Sequence, residues 1–147
     1  YMRRQHNILI GERTAEQVKI NVGSAIPKLD NPPENHPVLG RDLMTGHPKE
    51  VIVTYSEIAG ALDKSIGKIE DAIHTALNQT PPELSADIFK TGIYLAGGGA
   101  LLRGLDKRIS LRTKLPVHIC EDPLHAVAKG TAIALKNIDR FPFLMRD

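Results

Sequence analysis

The chain has 147 residues, 41% of them hydrophobic and 24% charged, which fits one ordinary domain or two small lobes and excludes a disordered polyelectrolyte. Only 4% of residues are aromatic and Trp is absent, so the core must be aliphatic. With 19 basic and 17 acidic residues the net charge is +2, too balanced to imply by itself a nucleic-acid or anionic-membrane partner.

The chain opens on Tyr1 rather than Met and runs through a polar stretch, residues 1–7. This reads as a cut inside a longer protein. No secretory leader is visible, and no apolar run approaches the ~20 residues of a transmembrane helix. Cys120 stands alone, so an internal disulfide is excluded and a reducing compartment fits.

Residues 11–25 predict a helix, with Thr14 at its N-cap or already in the first turn. Ala15, Val18 and Val22 share one face, and Glu16 and Lys19 share another. A proline-rich loop follows over 26–35. Residues 38–43 and 50–55 predict two strands joined by a turn at Gly46-His47-Pro48. Ser56 is then expected to cap a long helix reaching about Asn78, with Glu57 in its first turn. Its stripe is Ile58, Leu62, Ile66, Ile69, Ile73, Ala76 and Leu77.

Thr80-Pro81-Pro82 breaks that helix, and Pro82 opens a shorter one to about Phe89. Beyond it the pattern alternates. Residues 93–96 predict a strand and Gly97-Gly98-Gly99 a turn. A helix is expected from Leu101 to about Thr113, burying Leu102, Leu105 and Ile109, with Arg112 at the end of that face. Residues 117–120 predict a second strand. A last helix over 123–138 carries Ala126, Val127, Thr131, Ala134 and Leu135. Two strands separated by a helix imply a parallel pair in an α/β layer. The expected division is an α+β lobe over 1–80 and an α/β lobe over 81–147.

The strand–glycine–helix junction is the strongest chemical signal. Glycines without Cβ let a ligand approach the backbone, and a helix N-terminus offers N–H groups and a positive dipole end. Nucleotide or phosphate contact is one reading, and a tight structural turn is the other. A dinucleotide fingerprint is incomplete, because Gly97-x-Gly99 is followed by Leu102 where a third glycine is needed; Glu121 or Asp122 would then supply the ribose acid. A Walker A loop is absent. His118, Cys120, Glu121, Asp122 and His125 form a metal-like cluster without a second ligand pair, so strand and loop residues are the simpler reading. No serine sits in a G-x-S-x-G context. Arg3-Arg4 and Lys107-Arg108 read as solvated pairs, and Glu16 and Lys19 alone as an ordinary exposed helix pair.

Three ordered stretches resemble the MreB family of bacterial rod-shape-determining, actin-like proteins. They are residues 11–19 with Gly23-Ser24-Ala25, residues 81–88 leading to 95–106, and residues 121–124 with 126–131. The glycine run and the final D-P-x-x-A-V-A-x-G are shared more widely among actin and Hsp70-type ATPases. The resemblance implies an α/β, actin-like ATPase (ribonuclease H-like) second domain, incomplete, with an α+β outer subdomain. It implies ATP or ADP as ligand, with Mg²⁺ bound through the missing half. It implies that Glu16 reaches the ribose hydroxyls, that Lys19 lies near the sugar or base, and that Gln17 and Val18 belong to the same stretch. Gly97, Gly98, Gly99, Ala100 and Leu101 would form the adenosine-side turn.

The family's phosphate hairpins, metal-binding aspartate and water-positioning residues lie upstream of the matching region. No catalytic residue is therefore expected here, and no ATP hydrolysis by this chain alone. The resemblance also implies filament self-association in the parent, cell-wall elongation partners and a cytoplasmic location at the inner face of the membrane. An open sheet edge in the isolated piece would favour dimers or strand exchange. Two other readings stay open: a dinucleotide-dependent oxidoreductase domain, and an Hsp70-like chaperone ATPase fragment, which would carry a substrate-binding domain further on.

Overall fold

The computed structural model describes residues 1–141. The elements in chain order are α1 (Met2–Gln5), β1 (Ile8–Leu9), α2 (Glu12–Val22), β2 (His36–Asp42), β3 (Pro48–Val53), α3 (Tyr55–Gln79), α4 (Pro82–Thr91), β4 (Ile93–Leu95), α5 (Leu105–Thr113), β5 (Val117–Ile119) and α6 (Ala126–Lys136). Short 3₁₀ turns occupy Gly98–Leu101 and Ile138–Arg140.

The hairpin forms close to where it is predicted, but each strand starts two residues earlier and ends one or two earlier, so Pro48 lies in the second strand and Tyr55 opens α3. β2 and β3 pair antiparallel with Val38 opposite Val51. Asp42 closes the turn: its Oδ1 accepts from the amides of Met44 at 2.8 Å and Thr45 at 3.0 Å. Gly46 takes the positive φ of 76° that the reversal needs. The polar opening is more structured than its composition suggests. It makes the short helix α1, and Ile8 and Leu9 add a third strand beside β2.

Val18 and Val22 of α2 pack with Met2, Ile8, Val38, Val53 and Ile58 into one aliphatic core. Ala15, expected on that face, is exposed. Thr14 lies inside the first turn, and Gly11 occupies the N-cap position without a side-chain bond.

Thr54, not Ser56, caps the long helix. The Thr54 hydroxyl accepts from the Glu57 amide at 3.2 Å, and the Glu57 carboxylate accepts from the Thr54 amide at 3.3 Å, a reciprocal capping box. Ser56 falls one residue inside the helix. The 25 residues of α3 span about 37 Å. Ile58 enters the first core, while Ile66 enters a second with Ala25, Leu105 and Ile109. Leu62 packs against both, so α3 is the spine joining two clusters.

Pro82 sits in the first turn of α4, as its missing N–H allows. β4 and β5 pair in parallel, with Ile93 opposite Val117 and Leu95 opposite Ile119. Ile93, Leu95 and Val117 face the second core beneath α5. The opposite face carries Tyr94, whose ring lies 5.1 Å from that of His118, and Tyr94 is 66% exposed. α5 begins at Leu105, four residues later than the pattern implies, because the glycine run continues into a 3₁₀ turn instead of a helix. Leu105 and Ile109 are buried as expected; Arg112 is exposed. No residue of α6 is buried, and its Val127 and Leu135 are 75% and 67% exposed.

Candidate functional site

The residues singled out in the sequence fall on two neighbouring structures, α2 and the glycine turn. Of the four candidates on α2, Val18 is the buried one; it anchors the helix in the first core and so presents no side chain to a ligand. Gln17 is exposed. Glu16 and Lys19 are exposed on the side that faces α3. Together with Glu12, Arg13, Ala15 and Leu62 they line an open groove of about 610 Å³. A carboxylate and an ammonium three residues apart on one wall offer an acceptor and a donor to a polar ligand resting on the apolar side chain of Leu62.

The glycine turn follows β4. Gly97 adopts φ 81°, ψ 170°, a conformation that only glycine reaches without strain. Its amide donates to the Pro123 carbonyl at 2.6 Å, which draws the loop after β5 alongside the turn. The 3₁₀ bonds run from the Ala100 amide to Gly97 and from the Leu102 amide to Gly99, each 3.1 Å. Ala100 is buried and Leu101 is more than half exposed. A Cβ built on Gly97 or Gly99 would meet nothing within 4 Å, and one on Gly98 would meet only the Leu124 side chain at 3.4 Å. The turn therefore presents uncovered backbone at the C-terminal edge of a parallel strand pair, where open α/β sheets accept ligands.

α2 and this turn are joined through the residues that follow it. The Ala25 amide donates to the Arg103 carbonyl at 2.8 Å, and Ser24 bridges Arg103 in parallel fashion. The Arg103 guanidinium donates to the carbonyls of Ile20 at 3.0 Å and Gly23 at 3.4 Å. The Leu102 side chain approaches Gly23 where a Cβ would stand. Lys19 lies one helical turn before this seam and Glu16 nearly two. The glycine turn itself does not line the groove that Glu16 and Lys19 share.

The remaining candidates separate. Asp122 accepts from Lys129 Nζ at 2.7 Å and bonds His125 Nδ1 at 2.9 Å. The lysine first, and then the histidine, hold its carboxyl down to about 2. His118 faces Tyr94 instead of joining them. Among the described residues no three His, Cys, Asp or Glu side chains gather as a metal site.

Lys107 pairs with Asp30 at the surface, at 2.7 Å. Arg108, read from sequence as solvated, is instead drawn inward. It bonds Glu70 and Asp63 of α3 and the Ala25 carbonyl. Those partners lie 38 to 83 residues away along the chain, so no local pattern signals the role.

The model of the MreB/Mbl protein family matches residues 1–142. The chain is 46% identical over 142 residues to the cell shape-determining protein Mbl of Bacillus cereus, covering 97% of this chain and 42% of that protein. It is 44% identical over 139 residues to the cell shape-determining protein MreB of Escherichia coli K12, covering 95% of this chain and 40% of that one. The structure superposes on crystal structures of MreB5 of Spiroplasma citri. The ADP-bound form gives a TM-score of 0.89 at 41% identity, covering 94% of this chain and 41% of that one. The AMPPNP-bound form gives 0.89 at 39% identity, covering 99% and 43%. The chain thus spans about two fifths of the length of the relatives it matches, and the fold is that part of an actin-like ATPase.

Proposed function

We propose that this chain, which belongs to the MreB/Mbl protein family, supplies the adenosine-side wall of the nucleotide cleft in a filament-forming protein that determines cell shape. The observation that carries this reading is the seam between α2 and the segment leaving the glycine turn. Through it the helix bearing Glu16 and Lys19 and an uncovered backbone turn become neighbours. The MreB5 crystal forms with ADP and AMPPNP support a nucleotide as the occupant.

In this reading Glu16 accepts hydrogen bonds from ribose hydroxyls, and Lys19 donates near the sugar or base. Val18 holds the helix in place from below. Gly97, Gly98 and Gly99 let the nucleotide lie close against the backbone, with Ala100 and Leu101 completing the turn. In this reading Mg²⁺ would be held through groups outside this chain and would neutralise phosphate charge. Phosphoryl transfer depends on positioning groups around the γ-phosphate, which on the same reading come from the part of the protein upstream, so hydrolysis is expected of the whole protein and not of this chain alone. In this reading residues 1–80 belong to the outer subdomain and residues from 81 onward to part of the inner one, whose expected span to 147 runs past the described residues. Among the described residues no helix is long and apolar enough to cross a membrane, and the reading places the protein at the cytoplasmic face of the membrane, beside the cell-wall elongation machinery.

The test is a chimera in which residues 1–142 replace the matching segment of Bacillus cereus Mbl. It should bind ADP, and unlabelled NAD should fail to displace a fluorescent ADP. Glu16→Ala should weaken ADP binding by roughly 1–3 kcal/mol, the worth of a charged hydrogen bond. Unchanged affinity in that variant removes Glu16 from the site. Preference for NAD would favour the dinucleotide reading, which the structure weakens because the glycine run leads into a 3₁₀ turn and Asp122 is already held by Lys129 and His125.

A further inference from the structure

We propose that Arg103 is a positioning residue of the nucleotide site: it fixes the helix that carries Glu16 and Lys19 to the exit of the glycine turn, so that one ligand meets both as a single rigid wall. The proposal rests on the reading above and names a residue outside both candidate stretches.

Arg103 acts through both its side chain and its backbone. Its guanidinium Nη1 donates to Ile20 O at 3.0 Å and Gly23 O at 3.4 Å. These carbonyls belong to the last turn of α2 and to its C-cap residue, where helical acceptors lack intrahelical donors and the dipole's negative end gathers. A fixed cation there completes the helix end. Its own carbonyl accepts from the Ala25 amide at 2.8 Å and from the Ser24 hydroxyl at 3.3 Å. Ser24 is wholly buried, and its single hydroxyl proton is shared between that carbonyl and the nearer Ile26 O at 2.7 Å, so the link leaving α2 is held on both sides.

Only Leu102 separates Arg103 from the last residue of the glycine turn. Leu102 is itself restrained, by the Gly99 carbonyl and by its contact with Gly23. A displacement of α2 by an ångström must therefore be matched in the glycine turn or break the Arg103 bonds. A ligand that contacts both elements then loses less freedom on binding than one that must bring them together, which is the gain from preorganisation.

The side-chain and backbone parts can be separated by mutation. Arg103→Ala removes the guanidinium bonds and leaves the residue-103 carbonyl contacts, so the fold should persist. In the Mbl chimera, ADP affinity should fall roughly tenfold, about the net worth of a charged hydrogen bond. Arg103→Lys, with a cation able to reach one carbonyl, should recover part of it. The two sites should also be coupled: in the Arg103→Ala background, Glu16→Ala should cost clearly less than in the unsubstituted protein. A residue that only stabilised the fold would lower thermal stability and leave the two substitutions additive, and additivity overturns the proposal.

A second measurement is independent of nucleotide. In the 147-residue chain, Arg103→Ala should speed amide hydrogen exchange at Ala100, Leu102 and Gly23 while leaving the amides in the middle of α3 unchanged. If the chimera binds no ADP, the nucleotide reading fails and this exchange pattern still decides whether Arg103 ties the two elements. Unaltered exchange at those three amides would overturn it.

Discussion

Arg108 and Glu70 meet through two parallel hydrogen bonds, Nε to Oε1 and Nη2 to Oε2, both 2.9 Å. The remaining nitrogen, Nη1, reaches Asp63 at 2.8 Å and the Ala25 carbonyl at 3.0 Å. One side chain of α5 thus fastens two turns of α3 and the link leaving α2. Both partners of the fork are largely buried, with side-chain exposures of 19% and 12%. Arg108, above all, holds the Glu70 carboxyl below the usual carboxylate range.

Arg108→Ala should therefore destabilise the chain by roughly 2–4 kcal/mol, because it leaves the largely buried Glu70 carboxylate without its cation. Arg108→Lys keeps the charge and loses the fork, so it should fall between the two. Urea unfolding followed by circular dichroism reads this directly. A loss below about 0.5 kcal/mol for the alanine variant would mean that the pair behaves as an exposed one.

The capping box gives a smaller and separable effect. Thr54→Ala removes the acceptor for the Glu57 amide and should cost about 1 kcal/mol. Ser56→Ala, at the position the sequence favours for the cap, should cost almost nothing. Equal losses in the two variants would contradict the assigned start of α3.

Glu57 also ties down the beginning of the chain, and this makes part of the stability depend on pH. Its carboxylate accepts from Tyr1 at 2.8 Å and is paired with His6. Partial burial works to raise its pKa, but the bonds from Tyr1, His6 and Thr54 outweigh burial and hold it below the ordinary 4.5. A depressed carboxylate stabilises the fold above its unfolded value and loses that contribution as pH falls through the folded value. Acidification below about pH 4.5 should therefore release α1 before the rest of the chain unfolds.

At the other end, desolvation and then the Glu57 acceptor push the Tyr1 phenol up to about 12. A raised group contributes fully below its unfolded value of 10 and is lost as pH climbs to 12. Phenolate absorbance should show an ionisation near 12 that Tyr1→Phe abolishes. Its persistence in that variant would assign it to another tyrosine.

Gly92 tests the join between α4 and the parallel strands. Its φ of 78° with ψ of −169° belongs to a region reached almost only by glycine, and a Cβ there would stand 2.5 Å from the Pro116 carbonyl oxygen. That carbonyl accepts from Ile93 at 2.8 Å and so cannot retreat freely. Gly92→Ala should cost at least about 2 kcal/mol from strain and crowding together. Gly67→Ala, at a helical glycine with open space around it, should be neutral or stabilising.

These contrasts mark what the sequence made legible. Long periodic stretches such as α3, and β-branched runs such as residues 51–53, declare their structure because local pattern and burial agree. The misplaced cap shows the limit, since Thr54 and Ser56 are chemically alike and only the reciprocal bond with Glu57 distinguishes them. The delayed start of α5 has a similar cause: three glycines followed by Ala and Leu do not reveal whether the chain turns tightly or winds into an α-helix. β1 leaves no pattern in the sequence because two residues carry too little periodicity, and it forms only against β2, more than 25 residues away. The candidate ligand stretches were visible from their resemblance to a family, with Val18 turning out to be core. Arg103 and Arg108 were not, because an arginine's partners 38 to 83 residues distant leave no trace in spacing.

The parallel pair leads to the last expectation. Among the described residues β4 and β5 pair only with each other. Parallel strands are ordinarily covered on both faces. Here one face rests on the second core, and the other carries the exposed Tyr94, with the apolar residues of α6 exposed as well. Unpaired strand edges beside an apolar surface favour pairing between chains. The isolated 147-residue chain should therefore associate in a concentration-dependent way in sedimentation velocity. Val127→Glu with Leu135→Lys, which place charges on α6 without touching either core, should shift it toward monomer. A chain that sediments as a monomer at every concentration would show that these edges are closed in solution, and a variant pair that leaves association intact would move the contact from α6 to the strand edges.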